Sequence, residues 1–143
     1  MMGAGNAIVS KSKAFALRVI NMYQFLVNDK REYVLSRQVL RSGTSIGANV
    51  RESQRAQSRA DFVSKLEIAL KEADETQYWL ELLHESSYLN PDAFESMNHD
   101  CEELIRLLVS ITAAAKQSPP PHKPVKFRIL NSEFHIKPYN SEF

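Results

Sequence analysis

Glu81 and His84 stand three residues apart in the run Glu81-Leu82-Leu83-His84, a spacing at which one helix face offers a carboxylate and an imidazole to a metal ion. A di-metal centre in a helical bundle needs two such elements and two further inward carboxylates. This chain has one. His99 with Glu95 or Glu102 has the wrong spacing for a second, so the sequence predicts no metal site and no cofactor. The Ser, Cys and His residues form no recognisable nucleophile and base arrangement. The lone Cys101 cannot form an internal disulfide and falls on an apolar helical face, where a small core residue is expected. No catalytic residues are predicted, and the chain is read as a non-enzyme.

The chemistry that the residues do support is anion binding. Between Tyr33 and Arg59, at about 100° per residue, Arg37, Arg41, Arg51, Arg55 and Arg59 all fall within about 40° of one pole. Leu35, Val39, Ser42, Ile46, Val50 and Ser53 gather at the opposite pole, so the segment has a core stripe and a cationic stripe. Guanidinium is a planar fork that suits phosphate oxygens and stacks on bases. Continued at helical pitch, the five arginines span about 33 Å. These residues are the predicted nucleic-acid-binding face, with RNA the expected ligand. The alternative is a protein-interaction scaffold or accessory subunit, for example of a reverse transcriptase or a ribonucleoprotein, whose arginines meet acidic protein surfaces.

Four amphipathic segments are needed to carry that face. The spacing of Phe15, Val19, Met22, Leu26 and Val27 predicts helix one from about Ser12 to Asn28, and helix two covers roughly Glu32 to Arg55. Gly43 and Gly47 each cost about 1 kcal/mol relative to alanine inside a helix. Both lie on the flank of helix two, which predicts close approach of another backbone there. Helix three starts after a Ser58 cap, with Asp61 in the place of the usual capping-box glutamate, and runs to about Ser86. Besides its core stripe it carries a second one, Ile68, Trp79 and Leu82 with Glu72 and Glu75, predicted to be an oligomer interface. Helix four opens at Asn90-Pro91-Asp92, a cap followed by proline in the first turn, and continues to Lys116. Short connections make this an all-α, antiparallel up-down-up-down four-helix bundle. The expected organisation is a flexible N-terminus over 1–11, the bundle over 12–117, and a Pro-rich linker with a repeat-like tail over 118–143, where Asn131-Ser132-Glu133-Phe134 recurs as Asn140-Ser141-Glu142-Phe143.

A formal charge of +1 conceals segregation along the 143 residues. From Lys30 to Lys65 eight Lys or Arg stand against Glu32, Glu52 and Asp61, whereas from Glu67 to Glu103 eleven acids stand against Lys71 alone. That pattern suits one basic and one acidic surface, with Glu52, Glu72 and Glu75 able to neutralise some of the arginines. Met1 to Val9 lacks the features of a signal peptide, and the apolar run Leu104–Ala115 holds Arg106 and is too short to cross a bilayer. A cytoplasmic protein without membrane contact is expected.

The run Leu40-Arg41-Ser42-Gly43-Thr44-Ser45-Ile46-Gly47-Ala48-Asn49-Val50-Arg51-Glu52 precedes Asp61-Phe62 and then Ile68-Ala69-Leu70-Lys71-Glu72. This constellation resembles the bacterial four-helix-bundle family of proteins encoded in intervening sequences of 23S ribosomal RNA genes, sometimes labelled S23 ribosomal proteins. The likeness runs from about Phe15 to Ile111 and excludes the tail. It implies a small homo-oligomer, a pentameric ring, without known enzymatic activity. The related accessory variability proteins of diversity-generating retroelements imply binding to nucleic acid and to a reverse transcriptase. Arg51 departs from the family pattern, in which a small residue is common, and Arg41 and Glu75 fall in its motifs, which implies a more structural role for them than for Arg37, Arg55 and Arg59.

Overall fold

Four helices follow one another in the computed structural model, which describes residues 4–117: α1 (Ala4–Asn28), α2 (Leu35–Ser53), α3 (Arg59–Glu85) and α4 (Pro91–Gln117). Each helix packs on its sequence neighbour, and α4 closes back onto α1. Antiparallel neighbours follow from connections of only a few residues, so the bundle is up-down-up-down, as its pattern of apolar residues predicts. Phe15, Met22 and Leu26 of α1, Ile46 of α2, Leu66 and Leu80 of α3 and Leu104 and Leu107 of α4 fill the centre, all buried. Cys101 is buried among them with Sγ 3.3 Å from the Ala73 carbonyl oxygen, and burial pushes its thiol pKa up, as suits an inert core residue.

The two boundaries carried by cap chemistry stand where the sequence puts them. Ser58 has an extended backbone, its Oγ accepts from the Asp61 N–H at 3.0 Å, and Asp61 in turn accepts from the Gln57 N–H at 3.3 Å. Asn90 Oδ1 accepts from the Ala93 N–H at 2.8 Å, with Pro91 as the first helical residue. The other two starts are corrected. Helix α1 begins at Ala4 rather than near Ser12, and Ile8, inside the stretch expected to be flexible, is fully buried. Burial of Ile8 draws the helix through the Gly5 region despite its poor propensity. The predicted linker and tail, 118–143, lie outside the described residues.

Glu32, expected as the first residue of helix two, precedes it and caps it instead. Its carboxylate, with the residue only 6% exposed, accepts from the backbone N–H groups of Val34 at 2.7 Å, Leu35 and Ser36 at 3.3 Å. Ser36 Oγ returns a hydrogen bond to the Glu32 carbonyl at 2.8 Å. An anion over the unpaired amides of a helix N-terminus satisfies orphan donors and opposes the positive end of the dipole. The preceding turn is made by Arg31, at φ 56°, with the Glu32 N–H bonded to the Leu26 carbonyl at 2.9 Å. Glu32→Ala is expected to lower the unfolding free energy by about 1–2 kcal/mol, read from urea titration. A loss below a few tenths would show that water replaces the carboxylate at no cost.

Candidate nucleic-acid interface

Helix α2 presents Val39, Ser42, Ile46, Val50 and Ser53 to the core and leaves the opposite side to Arg37, Arg41, Ala48 and Arg51, all exposed. The face does not continue along one helix to Arg59. Gln54, Arg55 and Ala56 donate to carbonyls three residues back, at 3.1–3.2 Å, and this tightened turn ends α2 at Ser53. Arg55 therefore lies in the connection and Arg59 is the first residue of α3. The 33 Å helical stripe is replaced by three exposed arginines on α2, Arg37, Arg41 and Arg51, the outer two about 21 Å apart, with Arg55 in the turn that follows. The stretch from Ser53 to Ser58 holds no glycine or proline, so composition does not announce the break.

Arg41 is not available in the way its neighbours are. Its guanidinium contacts Glu75, and its Nη1 lies 3.2 Å from Glu72 Oε2. Trp79 Nε1 donates to Glu75 Oε2 at 2.9 Å. That indole N–H, followed by Arg41, holds the Glu75 carboxyl below the usual carboxylate range, while the hydrogen bond that Arg41 donates to Glu75 raises the Arg41 pKa. One residue further along both helices, Ser42 and Thr76 are fully buried and share a hydrogen bond at 2.8 Å. Arg41-Ser42 on α2 and Glu75-Thr76 on α3 thus form two adjoining rungs, one polar and outward, one buried. Together they fix the register of α2 on α3. The third expected neutralising acid, Glu52, pairs with Lys65 at 3.1 Å rather than with an arginine.

The remaining arginines differ among themselves. Arg37 is exposed and its Nε donates to the Tyr33 carbonyl at 2.8 Å. Arg51 and Arg55 are exposed, and no carboxylate of the described residues pairs with either. Arg59 is half-buried. On α3, Ile68 is exposed, whereas Trp79 is half-buried and packs against the core, and Leu82 is half-buried. Glu72 and Glu75, grouped with them from sequence, turn toward Arg41 of the same chain. Tyr78, 54% exposed and outside the predicted stripe, adds a large apolar surface beside Trp79, with ring centroids 5.3 Å apart.

Arg18 is the principal polar residue that sequence reasoning missed. It has no exposed surface, its Nη1 lies 2.6 Å from Asp100 Oδ2, and its Nη2 donates to Ser96 Oγ at 2.8 Å. The signal is its place between Phe15 and Met22 at helical spacing, a charge set within an apolar stripe. Of the residues considered for metal binding, His84 stacks on Phe94 with centroids 4.4 Å apart and His99 lies 2.5 Å from Glu103. Among the described residues no three His, Cys, Asp or Glu side chains converge as a metal site, and no helix is long and apolar enough to cross a membrane.

Residues 5–110 match the model of the 23S rRNA-intervening sequence protein family. A crystal structure of a protein of unknown function from the S23 ribosomal protein family of Bacteroides thetaiotaomicron is similar at 55% identity and a TM-score of 0.76. That likeness covers 77% of this chain and 98% of that one. No curated protein matches. With the Arg41-Ser42 and Glu75-Thr76 rungs inside the matched region, and with that region spanning most of the chain, this protein belongs to the 23S rRNA intervening-sequence protein family.

Proposed function

We propose that the protein is a non-enzymatic, cytoplasmic homo-oligomer that binds nucleic acid, RNA foremost, through Arg37, Arg51 and Arg55. The observation that carries this reading is the exposure of these three guanidinium groups, Arg37 and Arg51 on the outer side of α2 and Arg55 in the turn that follows it, with no carboxylate of the described residues paired to them. Arg41 is assigned to the α2–α3 clamp, so it contributes field rather than a free fork. Exposed Ile68 and Tyr78 on α3, outside the core, support self-association. A ring of five copies, the arrangement the family resemblance implies, repeats the cationic flank fivefold and multiplies weak phosphate contacts.

Each phosphate contact releases about one counterion, so log affinity falls linearly with log salt. The triple variant Arg37→Ala/Arg51→Ala/Arg55→Ala is expected to reduce that slope, per protomer engaged, by about 2–3. Arg41→Ala should change it far less. Fluorescence anisotropy on a labelled RNA across a salt series, with mass measured in solution for each variant, reads both quantities. An unchanged slope in the triple variant, with its mass unaltered, refutes the assigned face. Retention of a protein partner after nuclease treatment, without any RNA affinity, would instead support the scaffold reading.

A further inference from the structure

Both tight turns at one end of the bundle run through left-handed residues that are not glycine, Arg31 at φ 56° and Ser87 at φ 69°. Ser87 ends α3 in a Schellman arrangement: the Tyr88 N–H bonds the Leu83 carbonyl at 2.8 Å and the Ser87 N–H bonds the His84 carbonyl at 3.0 Å. Between the end of α1 and this second turn lies an open notch of about 330 Å³, lined by Phe25 and Lys30 on one side and by His84, Tyr88 and Asn90 on the other. From this notch we infer a seat for one unpaired nucleotide of a bound RNA strand. The inference rests on the nucleic-acid reading above and specifies what form of RNA that surface takes.

Size, polarity and position each bear on the occupant. The volume is at the lower end of the range of small-ligand pockets, roughly 300–1,000 Å³, which suits a single nucleotide and excludes a duplex. The walls combine aromatic carbon with cation: Lys30 Nζ sits over the Phe25 ring, 5.8 Å from its centroid, and Tyr88 lines the same space and is the ring left for a base to stack on. A base stacks on aromatic faces and its phosphate meets an ammonium, whereas an apolar ligand leaves Lys30 without a counter-charge. His84 Nδ1 lies 3.3 Å from the Leu89 carbonyl oxygen, which can only accept, so the neutral ring carries its proton on Nδ1. Its Nε2 is then an acceptor for an amino or imino group on a base edge. Asn90 spends Oδ1 on the Ala93 N–H and retains its amide N–H groups for a ligand.

The adjoining loop leads from the notch to the proposed RNA surface. Arg31 and Tyr33 are exposed, and Arg37, three residues into α2, bonds back to the Tyr33 carbonyl at 2.8 Å. Arg31 and Tyr33 thus add guanidinium and tyrosine to the loop that joins Lys30 of the notch to the start of α2. Single-stranded ends and bulges, whose bases are already unstacked, are the RNA elements able to use such a seat at low cost.

The test compares a blunt 12-base-pair RNA duplex with the same duplex carrying a three-nucleotide unpaired end, by fluorescence anisotropy at fixed salt. The intact protein is expected to bind the unpaired end about tenfold more tightly, the effect of roughly one stacked base. Lys30→Ala and Lys30→Ala/His84→Ala should bring the two affinities together while leaving blunt-duplex binding nearly unchanged. Lys30 is exposed, so the single variant does not disturb packing. Equal affinities for the two RNAs in the intact protein, or a preference that survives both substitutions, overturn the seat and leave the arginine surface standing. Absence of binding to either RNA overturns both. Adenosine monophosphate provides the remaining arm: if it shifts the His84 and Tyr88 ring resonances while the unpaired end gives no advantage, the ligand is a free nucleotide and the strand assignment fails.

Discussion

Asp100→Ala is expected to destabilise the bundle by about 3–5 kcal/mol, the largest effect of any single polar substitution in the described chain. The reason is what it leaves behind. Arg18 has no exposed surface, and a guanidinium cannot shed its proton to escape the cost of burial. Asp100 Oδ2 at 2.6 Å supplies the counter-charge, while Ser96 supplies Oγ at 2.8 Å and its carbonyl at 3.4 Å. Without the carboxylate the guanidinium keeps the neutral Ser96 acceptors but loses the counter-charge at 2.6 Å. Removing both charges has a different outcome. Arg18→Met/Asp100→Leu keeps comparable volume and abolishes the desolvation cost on both sides, so its stability should lie near that of the parent or above it. Urea midpoints at constant m-value separate the cases. A single variant within 1 kcal/mol of the parent would show that water reaches the Arg18 head and the pair is not dry.

Why this pair escapes sequence reading, when the caps do not, is a matter of range. Ser58 with Asp61 and Asn90 with Ala93 close over three residues, so residue type and spacing contain the whole interaction. Arg18 and Asp100 are separated by 82 positions. Spacing reveals that Arg18 occupies a core register, but not which carboxylate on α4 answers it. Helix α1 illustrates the same limit at its start. No acidic residue marks its first turn, and what extends it back to Ala4 is the burial of Ile8 against other helices. The α2 terminus fails for another reason: residues 53–58 have acceptable helix propensity, and the chain leaves the helix because Ser58 must adopt an extended conformation to cap α3. That one local event displaces Arg55 and Arg59 from the predicted face. The Arg41 clamp lies between these extremes: its structural role comes through the family resemblance, and Glu72 and Glu75 are legible as acids able to neutralise arginines, but residue type leaves open whether they do so within one chain or between subunits.

Gly43→Ala and Gly47→Ala should move stability in opposite directions although both remove a glycine from the interior of α2. A Cβ at Gly43 meets Val19 Cγ2 at 2.8 Å and Cγ1 at 2.9 Å, closer than packed carbons tolerate. Val19 is fully buried, and a β-branched side chain in a helix has one strongly preferred rotamer, so neither methyl can swing away. The helices must part instead. Overpacking of this kind costs about 1–3 kcal/mol, enough to outweigh the gain of about 1 kcal/mol in helix propensity. At Gly47 the nearest atom is the Ser12 carbonyl oxygen at 3.4 Å, an ordinary contact, so the propensity gain survives and the variant should be as stable as the parent or more so. Thermal or urea unfolding ranks the two. Shortening the opposing residue adds the decisive control: in Val19→Ala the clash has no partner, so Gly43→Ala in that background should cost far less, a coupling that a double-mutant cycle isolates. If Gly43→Ala is equally harmful with and without Val19, close approach of α1 is not what the glycine provides. If the coupling is present, Gly43 sets how closely α2 lies on α1, and with it the direction in which Arg37 and Arg51 leave the bundle.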